Sequence, residues 1–326
     1  MSADGYDLVY HFPGGISPKA KKVLTDLLID YGEALDIKVT PTADKFHRNN
    51  PNSYIEKRGE VAGVVHLVRC WHGIGRPDLD MVISRDFTKS GKAFSKSLEL
   101  LDELQVFSRG INSFLQNIDP IQHASLEAAR TRAEEKYTYV KLVDSVDPLL
   151  MEGRAVMWNR MTPDHKDTRD PEVAWAALAV LGQIKSGWLI FRQLNLKVRY
   201  RPGDIVWLRG AILDHEVDVW EGEQRISIAH FTHKSYFDDL NVTCLTARGA
   251  IPTDPPTVLS GSFIENSLNR KRKRNEMVEG DSVHLGGVRE ADGYRAKRKR
   301  TRSALSRQHY KAAKKKVAEA LPRTEG

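Results

Sequence analysis

A histidine and an aspartate one residue apart, His165 and Asp167, with His215 far downstream, are the side chains in this sequence best suited to grip a transition metal. Two neutral imidazoles and one carboxylate on one face of a ferrous ion leave its other positions open, so that a bidentate cosubstrate and dioxygen bind side by side. The His-x-Asp triplet alone is weak, because a chain with 11 histidines produces about one by accident. Its context is rarer. Arg201-Pro202-Gly203-Asp204 opens a segment that ends on Asp214-His215, and Arg225 and Ser227 follow. A 2-oxoacid chelates a metal through its keto and carboxylate oxygens, and its far carboxylate needs a fixed cation; the planar fork of Arg225 suits that pairing. On a strand Arg225, Ser227 and Ala229 share a face, which lets Ser227 add a hydroxyl to the same carboxylate. Fe(II), 2-oxoglutarate and O2 are therefore the expected metal and cosubstrates, with His165, Asp167, His215 and Arg225 as the catalytic set.

The elements that must position these residues change character along the chain. Up to about Lys136 the pattern is mixed, with helical spacing in Phe94, Leu98, Leu101 and Leu104 and again in Ile111, Phe114, Leu115 and Ile118. Asp119-Pro120 interrupts, because the ring of proline disfavours a helical conformation in the residue before it. Ser125 to Lys136 is rich in good helix formers. From Ala155 onward short apolar runs alternate with turn residues, the pattern of an antiparallel barrel or sandwich. Strands are expected over Ala155 to Met161, Gly187 to Gln193, Leu196 to Tyr200, Ile205 to Arg209, Ala211 to Val217 and Arg225 to Thr232. Arg201 to Asp204 reads as a turn and Trp220 to Glu223 as a hairpin loop. Val173 to Leu181 fits a buried strand or a short helix, and its neighbours favour strand.

The formal charge of +7 invites a nucleic-acid reading, yet it is unevenly placed. Residues 267–326 carry 18 Lys and Arg against 7 Asp and Glu, a net of +11, which leaves residues 1–266 at −4. Attraction to phosphate thus resides in the tail or in a local patch that totals conceal. The basic clusters Arg270 to Arg274 and Lys297 to Arg300 have the layout of a bipartite nuclear-import signal, and equally of a nonspecific polycation. Two cysteines, Cys70 and Cys244, exclude a disulfide framework or a thiolate zinc cluster. The first ten residues lack an apolar signal core, and the longest apolar run is about half a membrane span, so an intracellular chain without a membrane partner is expected.

The run from Met157 to Pro171, the Pro-Gly-Asp turn, His215 and the Arg225-x-Ser227 pair together resemble the TET/JBP-type 2-oxoglutarate and iron dioxygenases, especially compact fungal members. The resemblance covers about Arg154 to His233. It implies an α+β fold, a double-stranded β-helix or jelly-roll-like barrel flanked by N-terminal helices. Residues 1–250 would form the dioxygenase domain, with a mixed part to 150 and the motif-bearing core at 151–245, and 251–326 would be linker and disordered basic tail. It implies iron ligation by His165, Asp167 and His215, 2-oxoglutarate held by Arg225 and Ser227, and oxidation of the methyl group of 5-methylcytosine. The family's base-contacting position is Asp170 here, where a carboxylate favours the exocyclic amine of cytosine; capping the segment that begins at Pro171 is the structural alternative. The partner implied is methylated double-stranded DNA, met by a nuclear monomer that flips the base out of the stack. The sequence departs from the animal members in lacking their cysteine-rich, zinc-bearing region. An oxygenase acting on RNA, alkylated bases, thymine or protein is the first rival, and a non-catalytic nucleic-acid-binding barrel the second. His230 and His233, three apart on a strand, face opposite sides and form no zinc pair. Asn159 and Arg160 line the pocket or the barrel wall, and Trp175, Trp188, Trp207 and Trp220 are expected mainly as packing.

Overall fold

In the computed structural model, residues 5–39, 50–73 and 75–247 are described. The expected linker and tail at 251–326, with both basic clusters, lie outside them. The described chain mixes helices with antiparallel sheets. Ten strands form: β1 Val9–Phe12, β2 Gly63–Val68, β3 Gly153–Trp158, β4 Thr162–His165, β5 Ala176–Ser186, β6 Trp188–Phe191, β7 Leu196–Arg199, β8 Ile205–Leu208, β9 His215–Val217 and β10 Glu221–Phe231. The larger sheet has the order β1-β8-β5-β10-β3-β2 and the smaller β4-β9-β6-β7. From β3 onward the pairs are nested: β3 with β10, β4 with β9, β5 with β8 and β6 with β7. The chain therefore passes back and forth between the two sheets, and their inner faces close on one another.

That inner space holds Ala176, Val180, Ile184, Leu189, Phe191, Tyr200, Val206, Leu208, Leu213 and Trp220, a cluster drawn from both sheets. The opposite face of the larger sheet packs on helices. These are α1 Pro18–Ala34, α2 Arg85–Thr88, α3 Gly91–Glu103, α4 Gln105–Ile118, α5 Pro120–Lys136, α6 Val140–Asp144 and α7 Lys234–Asp239. Tyr31 of α1 stacks on Trp158 at 6.2 Å, and Phe107 of α4 meets His230 at 5.5 Å. Both faces of this sheet are thus dry, which explains why β5 is nearly continuous in apolar residues. Asp119 makes the break between α4 and α5. Its Oδ1 accepts from Gln122 N at 2.9 Å, capping α5 with Pro120 in its first turn. Where α6 meets the sheet, buried Arg154 bonds Asp147 at 2.6 Å and Arg69 lies 3.4 Å from Asp144, so that these charges are paired.

Several expected strands need correction. The run from Ala155 to Met161 is cut at Trp158, because Asn159 adopts a left-handed conformation (φ 50°) and β4 begins afresh in the other sheet. Only His215–Val217 of the expected Ala211 to Val217 is strand; Ile212 N and Leu213 N both donate to Arg209 O in a turn. Trp220 to Glu223 is no hairpin loop, since Glu221 onward belongs to β10. Gly222 (φ 120°) serves a bulge there, where a Cβ would lie 2.6 Å from Gln183 O. The ambiguous segment is strand from Ala176, and the turn at 201–204 forms with Asp204 N donating to Arg201 O at 2.9 Å. Among the described residues no helix is long and apolar enough to cross a membrane.

Candidate metal centre

β4 is an edge strand of the smaller sheet, and an edge tolerates Pro163, whose missing N–H leaves no ladder bond broken. His165 ends this strand and pairs directly with His215, the first residue of β9. The two rings stand 4.3 Å apart. Beyond β4 the chain turns, Asp167 N donating to Gly210 O at 2.9 Å, and the Asp167 carboxylate approaches the Nε2 atom of each ring. Its oxygens lie 3.4 Å from His165 Nε2 and 3.7 Å from His215 Nε2. One ligand atom from each residue falls within 4.8 Å of the others. Asp167 needs Gly210 beside it: a Cβ there would sit 3.1 Å from Asp167 Cγ and nearer still to Oδ2.

The hydrogen bonds prepare both imidazoles as ligands. Nδ1 of His165 faces the carbonyls of Pro163 (3.0 Å) and His215 (3.1 Å), and Nδ1 of His215 faces Leu213 O at 3.0 Å. Carbonyls only accept, so each Nδ1 carries the hydrogen and each Nε2 keeps a free lone pair. Burial works against charge on all three groups. It pushes His215 down; at His165 the Asp167 carboxylate outweighs it and the shift is upward. At Asp167 burial is outweighed by the two imidazoles, and the carboxyl is held below its usual range. An ionised carboxylate and neutral His215 suit a divalent cation. His165 and Asp167 are about a third exposed, so the centre opens to solvent on one side.

Arg225 and Ser227 stand on β10 opposite Gly182 and Val180 of β5, on the face that lines the space between the sheets. Arg225 is 1% exposed. One of its terminal nitrogens donates to Arg160 O at 3.1 Å and Ser227 Oγ at 3.2 Å; the other has no partner among the described residues. Its guanidinium carbon lies 5.7 Å from the Tyr200 ring and 5.2 Å from the Trp220 ring, whose buried hydroxyl and indole N–H have no hydrogen-bond partner among the described residues either. Among the described residues no carboxylate neutralises Arg225, and burial pushes it down to about 10. A buried cation with an idle donor edge is costly unless an anion completes it. The donor set therefore fits the far carboxylate of a short dicarboxylate.

Sequence reasoning left Asn159 open between pocket and barrel wall and did not find how Arg225 is supported. Asn159 holds Arg225 by the backbone: its Oδ1 accepts from Arg225 N and its own N donates to Arg225 O, both at 2.8 Å. Trp220 and Tyr200 flank the guanidinium, where mainly packing was expected of Trp220. Their approach to Arg225 depends on strand pairing, which spacing does not reveal. Asp170 follows in the same turn, its N donating to Asp167 O at 2.9 Å, and burial, then repulsion from Asp167 and Glu152, pushes its carboxyl well up. His230 lies under the helices. His233 lies on the other side, its N donating to buried Glu152 at 2.7 Å and its ring 4.9 Å from Phe231 and 6.2 Å from Trp71. His66, 5.8 Å from Trp71, completes a partly exposed aromatic floor beside the 165–170 turn.

Nested sheets carrying two imidazoles, one carboxylate and an unneutralised arginine define a barrel built to hold a metal and a small dianion. No protein-family model matches the chain, and no curated protein matches it in sequence. Among solved structures it is similar to "NgTET1 in complex with 5mC DNA", at 13% identity over 83% of each chain and a TM-score of 0.45. It is also similar to the viral collagen prolyl hydroxylase vCPH from Paramecium Bursaria Chlorella virus-1 in its 2OG complex (11% identity, 71% of this chain and 98% of that one, TM-score 0.32). A third likeness is to OsALKBH1 (13% identity, 69% and 96%, TM-score 0.30). At such values the functional reading rests on the site itself.

Proposed function

We propose that this chain is an Fe(II)- and 2-oxoglutarate-dependent dioxygenase of the TET/JBP type, on a double-stranded β-helix, which oxidises the methyl group of 5-methylcytosine in DNA. The observation that carries the reading is that His165, Asp167 and His215 converge on one point while an anion-seeking Arg225 faces the same interior. When bound, the metal, cosubstrate and O2 supply the oxidising power for an unactivated C–H bond. His165, Asp167 and His215 would hold the metal. Arg225 and Ser227 take the distal carboxylate, and the rings of Tyr200 and Trp220 keep water from that ion pair. The floor of His66, Trp71, Phe231 and His233 supports a flat substrate by stacking. Asp170, at its border, presents a carboxyl to the pairing edge of a flipped base.

DNA is then the partner, a monomer the working unit and the nucleus its place, the last resting on clusters 270–274 and 297–300. Residues 1–250 serve as the catalytic unit and 251–326 as linker and tail. The test is incubation of the full chain with methylated duplex DNA, Fe(II), ascorbate and 2-oxoglutarate, followed by mass spectrometry of nucleosides. 5-Hydroxymethylcytosine is expected, and none with His165→Ala. Oxidation of thymine, RNA, an alkylated base or peptide instead would reassign the substrate. Succinate release that does not depend on His165 or Asp167 would come from elsewhere than this centre and would favour a barrel that only binds nucleic acid.

A further inference from the structure

Residues 1–266 are acidic overall, yet one stretch of them is not. Residues 173–203 contain Lys185, Arg192, Lys197, Arg199 and Arg201 and no Asp or Glu. All five side chains are exposed. Arg192, Lys197 and Arg199 lie on the β6–β7 hairpin of the smaller sheet, while Lys185 ends β5 just before it and Arg201 follows β7. Among the described residues β7 is an edge of that sheet, with Lys197 and Arg199 directly opposite Ile190 and Trp188. The Lys197 ammonium and Arg199 guanidinium lie 4.9 and 5.9 Å from the Trp188 ring. Tyr200 N donates to Gly187 O at 2.9 Å, which brings Lys185 and Arg201 to the same end of the hairpin.

The other end of the hairpin reaches the metal centre. β6 pairs with β9 so that Ile190 is opposite Glu216, next to His215. At the tip Arg192 lies 3.6 Å from Asp164 and 2.5 Å from Glu216, and Gln193 Oε1 accepts from Asp214 N at 2.6 Å. The tip is thus fastened to residues adjoining both metal-site histidines. It also leaves Leu194 (38%) and Leu196 (39%), two large apolar side chains, partly exposed. Two of the five cations are spoken for, Arg192 as above and Lys197 by Asp218 at 3.5 Å. Among the described residues Lys185, Arg199 and Arg201 have no carboxylate partner. A stripe about 13 Å long, four strand residues at ~3.3 Å each, therefore runs from the metal centre to an unneutralised basic end.

We propose that this hairpin is a docking surface for the phosphate backbone of duplex DNA, which it leads across the mouth of the metal centre. The inference rests on the proposed function for its substrate and adds the surface that receives it. A polyanion is the partner that matches lysine and arginine without acidic relief, and the spacing along a strand follows successive phosphates. Exposed Leu194 and Leu196 supply apolar contact to sugars at the mouth.

The test compares three full-length proteins for binding to a methylated duplex oligonucleotide as salt is raised. These are wild type, the triple variant K185Q/R199Q/R201Q, and a control with equal charge loss on the helices, R109Q/R132Q/K141Q. Each phosphate contact contributes ~0.9 to the slope of log affinity against log salt, so the triple variant should lose about 2.7. Between 50 and 200 mM salt the wild type should therefore lose about 40-fold more affinity than the triple variant. The control should keep the wild-type slope. Both variants should bind metal and 2-oxoglutarate as wild type does. An unchanged slope in the triple variant, an equal loss in the control, or no binding of duplex DNA by wild type would overturn the proposal. Steep binding without oxidation would instead sink the proposed function and leave the docking surface standing.

Discussion

Gly210 offers the sharpest lever on the metal centre, because it touches a metal-site side chain without being one. Its φ is not in the left-handed region, so Gly210→Ala imposes no backbone strain. The new methyl would stand 3.1 Å from Asp167 Cγ, 3.3 Å from Asp167 Cβ and closer still to Oδ2. Relief requires the carboxylate to retreat by about 1 Å, which a side chain with no other duty does cheaply by rotation. A metal ligand has no such freedom, and losing the support of its orientation costs about 10–100-fold in metal affinity. That is ~1.4–2.8 kcal/mol. Anaerobic titration calorimetry with Fe(II) or Mn(II) reads the affinity, and thermal melting of the metal-free protein controls for the fold. Weakened metal binding with an unchanged melt is expected. Unchanged metal affinity would refute the placement of Asp167 in the coordination sphere.

Arg225→Lys keeps the charge but loses the fork, and 2-oxoglutarate binding, followed by Trp220 fluorescence in the presence of Mn(II), should weaken by at least ~10-fold. Asn159→Ala removes the acceptor for Arg225 N and the residue type that tolerates φ 50°, so it should destabilise the fold by about 1–3 kcal/mol in urea unfolding, and Asn159→Gly by less. Burial, aided by Arg154, pushes His230 down to about 3. Its folded value thus lies below the unfolded 6.5, so the stability it contributes is full above pH 6.5 and is lost as pH falls from there towards 3. Wild type should lose about 2 kcal/mol more than His230→Asn between pH 7.5 and 5.0, and parallel losses in the two would contradict this. Deleting residues 267–326 should weaken DNA affinity and flatten its salt dependence while oxidation persists at high substrate.

The parts of the site that can be read from sequence are those whose partners lie on the same element or follow a fixed alternation. His165 and Asp167 are two apart, and Arg225 and Ser227 share a strand face by parity alone. His215 was legible from the turn-strand context before it, although the strand proved to be three residues long. What escaped depends on how strands pair. Nothing in the spacing of Tyr200, Trp220 and Arg225 says that two rings bracket one guanidinium, and Asn159 matters because β3 breaks where β10 needs an anchor. Glycine misled in one place: Gly222 looked like a hairpin turn and is a bulge, since close approach of Gln183 O and a tight turn both demand a missing side chain. Helices α3 and α4 were readable from their apolar spacing, α5 from its helix formers and the break at Asp119-Pro120 from proline chemistry, whereas α1, α2, α6 and α7 were not singled out. The charge asymmetry was visible as well, but its local basic stripe emerged only once β7 was seen to be an edge.

The most direct measurement is anaerobic addition of Fe(II) and 2-oxoglutarate to the purified protein, watched for the visible charge-transfer band of the chelated metal. One equivalent of each should saturate the band, His165→Ala and Asp167→Ala should abolish it, and Arg225→Lys should require far more cosubstrate. A protein that shows no band, or keeps it in full without His165 and Asp167, would contradict the assignment of this centre.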